Sequence, residues 1–324
     1  MDAIVITQFG GLDALEYRSV NDPAPNDTQV LIQVAARSVN FADIKAREGR
    51  YHGAGKPPFV PGLDVTGTVV QIGSKVTGFS VGDRVVAFPI NGSYSEFAVS
   101  DEILTYRLPE TIDFQTAAAF PTVAVTAYEI LHKVGRIEQG ETVVIHSAAG
   151  GVGTTAIQLA KHFGAGQVIG VVSTDEKVNV ALKTGADYAI NYSKEDFAER
   201  VNELTGGKGA DLILDPVSGD IFKQEFDCLA DFGRIVMFGH AALKPGTFTT
   251  TTLHSKCRSV LGYSMGTTRA YRPHVLKDSV YAVMELIESG ELNIVVGKTY
   301  PLKEAAAAQS WIESRQSFGK VVLL

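Results

Sequence analysis

The stretch from Val143 to Phe163 constrains the chain more than any other. Val143-Val144-Ile145-His146 is a short apolar, β-branched run of the kind that fills a buried strand. Ser147-Ala148-Ala149-Gly150-Gly151-Val152-Gly153 follows as a small-residue turn, and Thr154 to Phe163 then reads as a helix. A strand, a glycine turn and a helix in that order form the unit from which doubly wound α/β sheets are built. The same order aims free backbone N–H groups and the positive end of a helix at one point, which suits a pyrophosphate. Alone, the motif also fits a tight turn that lets a helix pack on a sheet; the flanking strand and helix favour a dinucleotide. Ala148 stands where the template Gly-x-Gly-x-x-Gly has its first glycine. Alanine disfavours φ > 0, so the turn is expected to differ in detail from the NAD-type turn.

The surrounding pattern agrees. Strands are expected at Thr142–His146, Val168–Val172, Tyr188–Tyr192, Leu212–Asp215, Arg234–Phe238 and Ser259–Tyr263. Helices fall between them, for example Asp175–Lys183 and Glu195–Leu204. Such alternation makes a parallel sheet with right-handed crossovers. Residues 1 to about 110 differ: Val30–Ala36, Gly67–Gly73, Val81–Phe88 and Tyr94–Val99 are short strand-like runs separated by Gly and Pro, as in a β-barrel-like domain. Phe114–Leu131 is Ala-rich and helical, interrupted at Pro121; Val275–Glu288 and Leu302–Ser314 read as helices before a terminal strand, Lys320–Leu324. That last segment is too short for a domain of its own and is expected to return to the first one.

Composition narrows the class. The 324 residues are 45% hydrophobic and 20% charged, as in a globular enzyme of two domains. A formal net charge of −7 argues against a general nucleic-acid or membrane-surface binder. Cys228 and Cys257, the two cysteines, make neither a disulfide framework nor a four-cysteine zinc site, and a reducing cytoplasm is the expected setting. Met1–Ile6 reads as a strand with an early acid rather than as a secretory leader, and no apolar run is long enough to span a bilayer.

Several motifs now converge. Ser38-Val39-Asn40-Phe41-Ala42-Asp43, Pro61-Gly62-Leu63-Asp64-Val65-Thr66-Gly67 and Val81-Gly82-Asp83-Arg84-Val85 lie in the first part of the chain. Ala117-Ala118-Ala119-Phe120-Pro121-Thr122, Thr126-Ala127-Tyr128, the glycine turn, Ile190-Asn191-Tyr192, Asp215-Pro216-Val217-Ser218-Gly219 and Gly319-Lys320-Val321-Val322 follow. In order and spacing they resemble the medium-chain dehydrogenase/reductase superfamily, and within it the zeta-crystallin-type quinone oxidoreductases, over essentially the whole length. The resemblance implies an α/β protein with a GroES-like β-rich catalytic domain at residues 1–118 and 267–324. A Rossmann domain with a doubly wound parallel six-stranded sheet would occupy 119–266. It also implies a homodimer joined at the edge of that sheet, near Ser259–Ser264.

The superfamily's zinc alcohol dehydrogenases hold a catalytic metal through Cys, His and Cys. Here Asn40 matches the first cysteine and Leu63 the histidine, and the structural four-cysteine lobe is missing. Cys228 and Cys257 read as core or surface thiols, and the seven histidines show no ligand spacing. No metal is therefore expected. Without a Lewis acid, alcohol oxidation is disfavoured. Hydride delivery to an already electrophilic acceptor, a quinone or an α,β-unsaturated carbonyl, remains accessible.

NAD-selecting sites carry an acid about twenty residues after the glycine turn. Ser173 stands there instead. Ser173, Lys177 and Tyr192 are the positions that surround the 2′-phosphate in the resembling family, so NADPH is the expected cofactor. Lys177 also fits a solvated helix face beside Asp175 and Glu176, acids that suit the helix dipole. The resemblance adds Ala149, Gly150, Gly151 and Val152 at the pyrophosphate and Thr126 near the nicotinamide. It places Val217, Phe238, Gly239 and His240 at the carboxyl edge of the sheet, and Lys320 toward the nicotinamide side. His240 equally fits an ordinary loop histidine, and Lys320 a surface lysine before an edge strand.

Asn40, Asp43 and Tyr51 are the candidate reacting residues. Asn40 replaces the first zinc ligand, and its amide can donate to a substrate oxygen. Asp43 lies three residues on, on the same face of a helical turn, where it orients a neighbour; the two also fit a turn-and-cap pair. Tyr51 lies in the loop Gly49-Arg50-Tyr51-His52-Gly53 and either donates to the acceptor, stacks on it, or packs the loop. Lys45 stands where many relatives have a tyrosine. The expected activity is zinc-independent hydride transfer from NADPH to a quinone or other electrophilic conjugated carbonyl. The alternatives are an enoyl or 2-alkenal double-bond reductase and, from another class, a non-catalytic NADPH-binding protein with a structural, RNA or protein partner.

Overall fold

The structure, a computed structural model, describes residues 1–51 and 55–324. The chain forms two compact units: residues 1–125, 266–288 and 294–324, and residues 126–265 with 289–293. In the first, β1 (Asp2–Ile6) and β2 (Leu15–Ser19) make an antiparallel ribbon. β3 (Gln29–Val39) runs into α1 (Phe41–Arg47), and β4 (Val65–Ile72), β5 (Arg84–Ala87), β6 (Phe97–Asp101) and β7 (Thr105–Arg107) follow. The strand expected from Tyr94 starts only at Phe97. The Tyr94 N–H bonds to the Pro61 carbonyl instead, and Ser95 bridges to Ala3. The Ala-rich run divides into α2 (Phe114–Ala119) and α3 (Pro121–Tyr128). Pro121 has no N–H for the preceding turn but fits the first position of a new helix.

The second unit is the alternating segment. β8 (Thr142–His146), α4 (Gly151–His162), β9 (Gln167–Val172), α5 (Asp175–Thr184) and β10 (Tyr188–Asn191) make its first half. α6 (Phe197–Leu204), β11 (Ala210–Asp215), α7 (Asp220–Cys228), β12 (Leu229–Met237), α8 (Thr250–His254) and β13 (Ser259–Gly262) make the second. α6 begins at Phe197 rather than Glu195 because the Asp196 side chain caps it, accepting from the N–H groups of Ala198 and Glu199. The strands lie all parallel in the order β10-β9-β8-β11-β12-β13. Chain order therefore reverses between β8 and β11, and the carboxyl ends of those two strands flank the crevice where doubly wound sheets bind ligands. All five residues of β8 are buried. Val144, Ile169, Ile213 and Ile235 from four adjacent strands share a core with Phe197 and Phe222, and each such side chain contributes about 1.5–3 kcal/mol by leaving water.

The chain then rejoins the first unit through α9 (Met265–Tyr271), α10 (Leu276–Glu288), β14 (Val296–Tyr300), α11 (Ala305–Glu313) and β15 (Lys320–Leu323). The seven-stranded sheet runs β14-β15-β3-β4-β5-β7, with β6 also on β3. β15 is thus an interior strand, antiparallel to β3 and parallel to β14. Lys320 opens it and is only 3% exposed, so it is not a surface lysine before an edge strand.

Candidate active site

In the second unit the glycine turn is built as an anion cradle. The positive φ falls on Ser147, at 53°, and not on Ala148. The alanine methyl is buried over Gly170, where a Cβ would come within 2.8 Å of it. Gly153 is required: a Cβ there would lie 2.4 Å from the Ser147 oxygen and 2.6 Å from the Ala148 Cα. Gly150 is the N-cap of α4, with no capping side chain and no acid in the first turn. The leading N–H groups of Gly151, Val152 and Gly153 therefore have no intrahelical acceptor. Ala149 is buried behind them. These residues fit a pyrophosphate.

The pairing of β9 with β10 sets Asn191 opposite Val172, and the Tyr192 N–H donates to the Val172 carbonyl at 3.0 Å. Ser173, Lys177 in the first turn of α5, and the half-exposed Tyr192 thereby come to one sheet corner. Asp175, the acid that stood against a phosphate there, is already matched. It accepts from Asn191 Nδ2 at 2.8 Å and from Lys194 Nζ at 2.5 Å, and these bonds, Lys194 first, hold its carboxyl below the usual range. Lys194 is a residue that sequence reasoning missed.

At the carboxyl edge, the fully buried Asp215 accepts from the N–H groups of Val217 at 2.6 Å and Ser218 at 2.9 Å. The N–H of Phe238 bonds to the Asp215 carbonyl at 2.9 Å and that of Ala241 to Pro216 at 3.0 Å. Val217, Phe238, Gly239 and the exposed His240 are thus gathered on two laced loops. Thr126, on α3, is buried. Below the turn, His146 Nε2 lies 3.1 Å from Glu225 Oε1, both side chains at most 1% exposed. Burial pushes the imidazole down to about 4 and the Glu225 carboxyl well up, so the pair is neutral.

The first unit carries a buried polar cluster. Asn40 is the N-cap of α1, and its N–H donates to the Asp43 carboxylate at 2.8 Å. The turn-and-cap reading of these two residues therefore holds, and the cluster adds to it. Asn40 Nδ2 donates to Asp64 Oδ2 at 2.8 Å, while Lys320 Nζ donates to Asn40 Oδ1 at 2.7 Å and to the Val39 carbonyl at 3.0 Å. Asp64 also accepts from Ser38 Oγ at 2.8 Å, from the Thr122 N–H at 3.1 Å and from Thr122 Oγ1 at 2.5 Å. Asp43 takes the Tyr94 hydroxyl at 3.1 Å. Burial, with Asp64 nearby, raises the Asp43 carboxyl to about 7, and burial lowers Lys320. Arg47 anchors the far end of α1, donating to Gln309 Oε1 at 2.7 Å and Glu313 Oε1 at 2.6 Å on α11. Asp64, Tyr94 and Thr122 were not singled out from sequence, although an acid inside the apolar run Gly62–Val65 was a visible signal.

Tyr51 follows α1 and is half-buried; His52 and Gly53 of its loop lie outside the described residues. Lys45 is half-buried with its ammonium 5.1 Å from the centre of the Phe41 ring. Among the described residues no group of three or more His, Cys, Asp or Glu side chains could hold a metal ion. Where the zinc enzymes have donors, Leu63 has none and the Asn40 carboxamide faces the cationic Lys320. This donor set does not fit a zinc ion.

Comparison with known proteins identifies the family. Residues 151–287 match the family described as zinc-binding dehydrogenase, and residues 26–110 the alcohol dehydrogenase GroES-like domain. The chain is 37% identical to a quinone oxidoreductase of Pseudomonas aeruginosa, over 99% of this chain and 98% of the relative. It is 35% identical to a 2-haloacrylate reductase of Burkholderia, with the same coverage. The structure of the Escherichia coli quinone oxidoreductase complexed with NADPH superposes with a TM-score of 0.93 at 32% identity, covering 100% of both chains. The chain belongs to the quinone oxidoreductase branch of the medium-chain dehydrogenase/reductase superfamily, whose fold is that of an NADPH-dependent medium-chain reductase.

Proposed function

We propose that the chain reduces quinones, and conjugated enones or enals at their β-carbon, at the expense of NADPH. The observation that carries this reading is the Asn40 cluster, an amide donor beside a buried cation, at the position that the resemblance matches to the first zinc ligand. Bound NADPH supplies a hydride from its nicotinamide; one proton from water completes the conversion of a quinone to a hydroquinone. The N–H groups of Gly151 and Val152, backed by Ala149 and Gly150, hold the pyrophosphate. Ser173, Lys177 and Tyr192 hold the 2′-phosphate, and Thr126, Val217, Phe238, Gly239 and His240 border the rest of the cofactor. Asn40 donates to the acceptor oxygen, Asp43 holds the start of α1, and Tyr51 donates to or stacks on the acceptor. Lys320 supplies positive charge beside Asn40, where oxygen becomes negative.

The identity with a 2-haloacrylate reductase favours one second reading, a double-bond reductase of electrophilic alkenes. Loss of nicotinamide absorbance against a panel of quinones, enones and enals separates the two. Tight NADPH binding with no turnover on any of them would leave a binding protein. The same reading carries a homodimer, supported by the free edge of the six-stranded sheet at β13, whose residues are half-exposed or exposed. A monomer in sedimentation equilibrium rules that out. Two free cysteines, one of them exposed, support a reducing cytoplasm. Among the described residues no helix is long and apolar enough to cross a membrane.

A further inference from the structure

Lys320 and Asp64, an ion pair with Nζ 3.7 Å from Oδ2, hold one carboxamide by its oxygen and its nitrogen respectively. A lysine ammonium has only donors and a carboxylate only acceptors. Turning the Asn40 amide over would set its N–H groups against the ammonium of Lys320 and its oxygen against Asp64. Two charge-assisted hydrogen bonds, now 2.7 and 2.8 Å, would become repulsions. Neither neighbour is free to follow. Lys320 is also tied to the Val39 carbonyl, and Asp64 to Ser38 and Thr122. Asp64 takes one N–H of the amide, and nothing else among the described residues takes the second. Asn40 is 6% exposed against 3% for Lys320 and 0% for Asp64, so of these three it is the one nearest the outside.

We propose that Lys320 and Asp64 are positioning residues that fix Asn40 as a one-way hydrogen-bond donor, so that the site selects a carbonyl oxygen over the corresponding hydroxyl. A ketone, enone or quinone oxygen offers lone pairs and no proton. An alcohol in the same place brings a proton that needs a separate acceptor, and leaving it unmatched costs affinity. The donor also strengthens its grip as the oxygen gains charge during reduction. This assignment rests on the oxidoreductase reading above and adds the basis of its substrate choice. It gives Lys320 a task other than touching the cofactor.

The test compares the full-length wild type with Lys320→Met and Asp64→Leu, each removing one side of the grip. Cyclohexanone and cyclohexanol are titrated as competitive inhibitors of quinone reduction in the presence of NADPH. The wild type should prefer the ketone by about tenfold, one hydrogen bond's worth, and each folded variant should lose most of that preference. In parallel, isotope-labelled asparagine gives side-chain amide signals, with that of Asn40 assigned by its loss in Asn40→Ala. Its solvent exchange should be slow in the wild type and fast in either variant, a readout that needs no substrate. A preference unchanged in both variants, or unchanged exchange, overturns the proposal. So does a Lys320→Met protein that only binds NADPH more weakly. A wild type that turns over no quinone or enone defeats the oxidoreductase reading, while amide exchange still reports on the grip.

Discussion

Asp43 accepts the hydroxyl of Tyr94 at 3.1 Å, with neither side chain more than 1% exposed. The contact ties the first turn of α1 to the segment that precedes β6. It holds a carboxyl inside the protein close to that of Asp64, and burial raises Asp43 to about 7 and Tyr94 well above its ordinary value.

A pH dependence of stability follows. The folded carboxyl binds its proton more tightly than the unfolded one, whose ordinary value is 3.8. The stabilisation is complete below that value and is lost as pH rises toward about 7, with a slope of up to about 1.4 kcal/mol per pH unit. Carboxylates held below their ordinary value act in the opposite sense, so the quantity to measure is the difference between wild type and Asp43→Asn. Denaturant midpoints from pH 4.5 to 8 should show wild type losing ground to the variant as pH rises (about one proton's worth of slope). A difference that is flat with pH would mean that Asp43 ionises normally in the fold.

Gly153 makes the pyrophosphate turn possible by having no side chain. Gly153→Ala sets a methyl 2.4 Å from a backbone oxygen that has no room to retreat, since its turn is pinned to β9 through the Ala148 N–H bond to Val171. The turn must open. NADPH affinity should fall at least about tenfold, and stability by about 1–3 kcal/mol. Tryptophan-to-nicotinamide energy transfer measures the first and thermal unfolding the second. Gly150→Ala, whose Cβ would sit 3.3 Å from the Ser147 oxygen, should be the milder change.

The contrast between β8 and Lys320 explains what was legible in the sequence. β8 is buried on both faces, so its apolar run and the small-residue turn after it stand out within a few residues, and its expected bounds are the observed ones. Lys320 is one basic residue before a strand, and its partner Asn40 lies 280 positions away. No local pattern distinguishes such a lysine from a solvated one; only the pairing of β15 with β3 does. Lys194 escaped for a related reason. Its partner Asp175 sits at the start of α5, and the pairing of β9 with β10 brings them together. Ala148 illustrates the reverse: the alanine was visible, but that the positive φ moves to Ser147 was not.

His146 and Glu225 form a neutral pair that neither the glycine turn nor the Asn40 cluster uses. The imidazole also packs edge-on against Phe197, ring centres 4.9 Å apart, so its surroundings are largely apolar. Their polar atoms approach to 3.1 Å without a well-formed hydrogen bond, so His146→Leu or Glu225→Leu alone takes away a polar neighbour of the other buried group, at a cost of up to about 1 kcal/mol. The double variant removes both and should cost less than the two singles summed. A double-mutant cycle in urea measures the coupling. Simple additivity would show that the two groups do not interact.

Coenzyme choice should depend on two lysines in different ways. Lys177 stands in the first turn of α5 beside Ser173, and Lys177→Ala removes a charge that favours the 2′-phosphate. The preference for NADPH over NADH in kcat/KM should drop about tenfold. Lys194 acts through Asp175. Lys194→Ala takes away the ammonium now 2.5 Å from that carboxylate, leaving a negative group at the corner where Ser173 and Tyr192 meet. Both partners are exposed and screened by salt, so a loss of about threefold in preference is expected, smaller at high ionic strength. Adding Asp175→Ala to Lys194→Ala should restore the preference, because the repelling carboxylate goes with it. If the double variant is as poor as Lys194→Ala alone, Lys194 contacts the phosphate itself and its pairing with Asp175 is incidental.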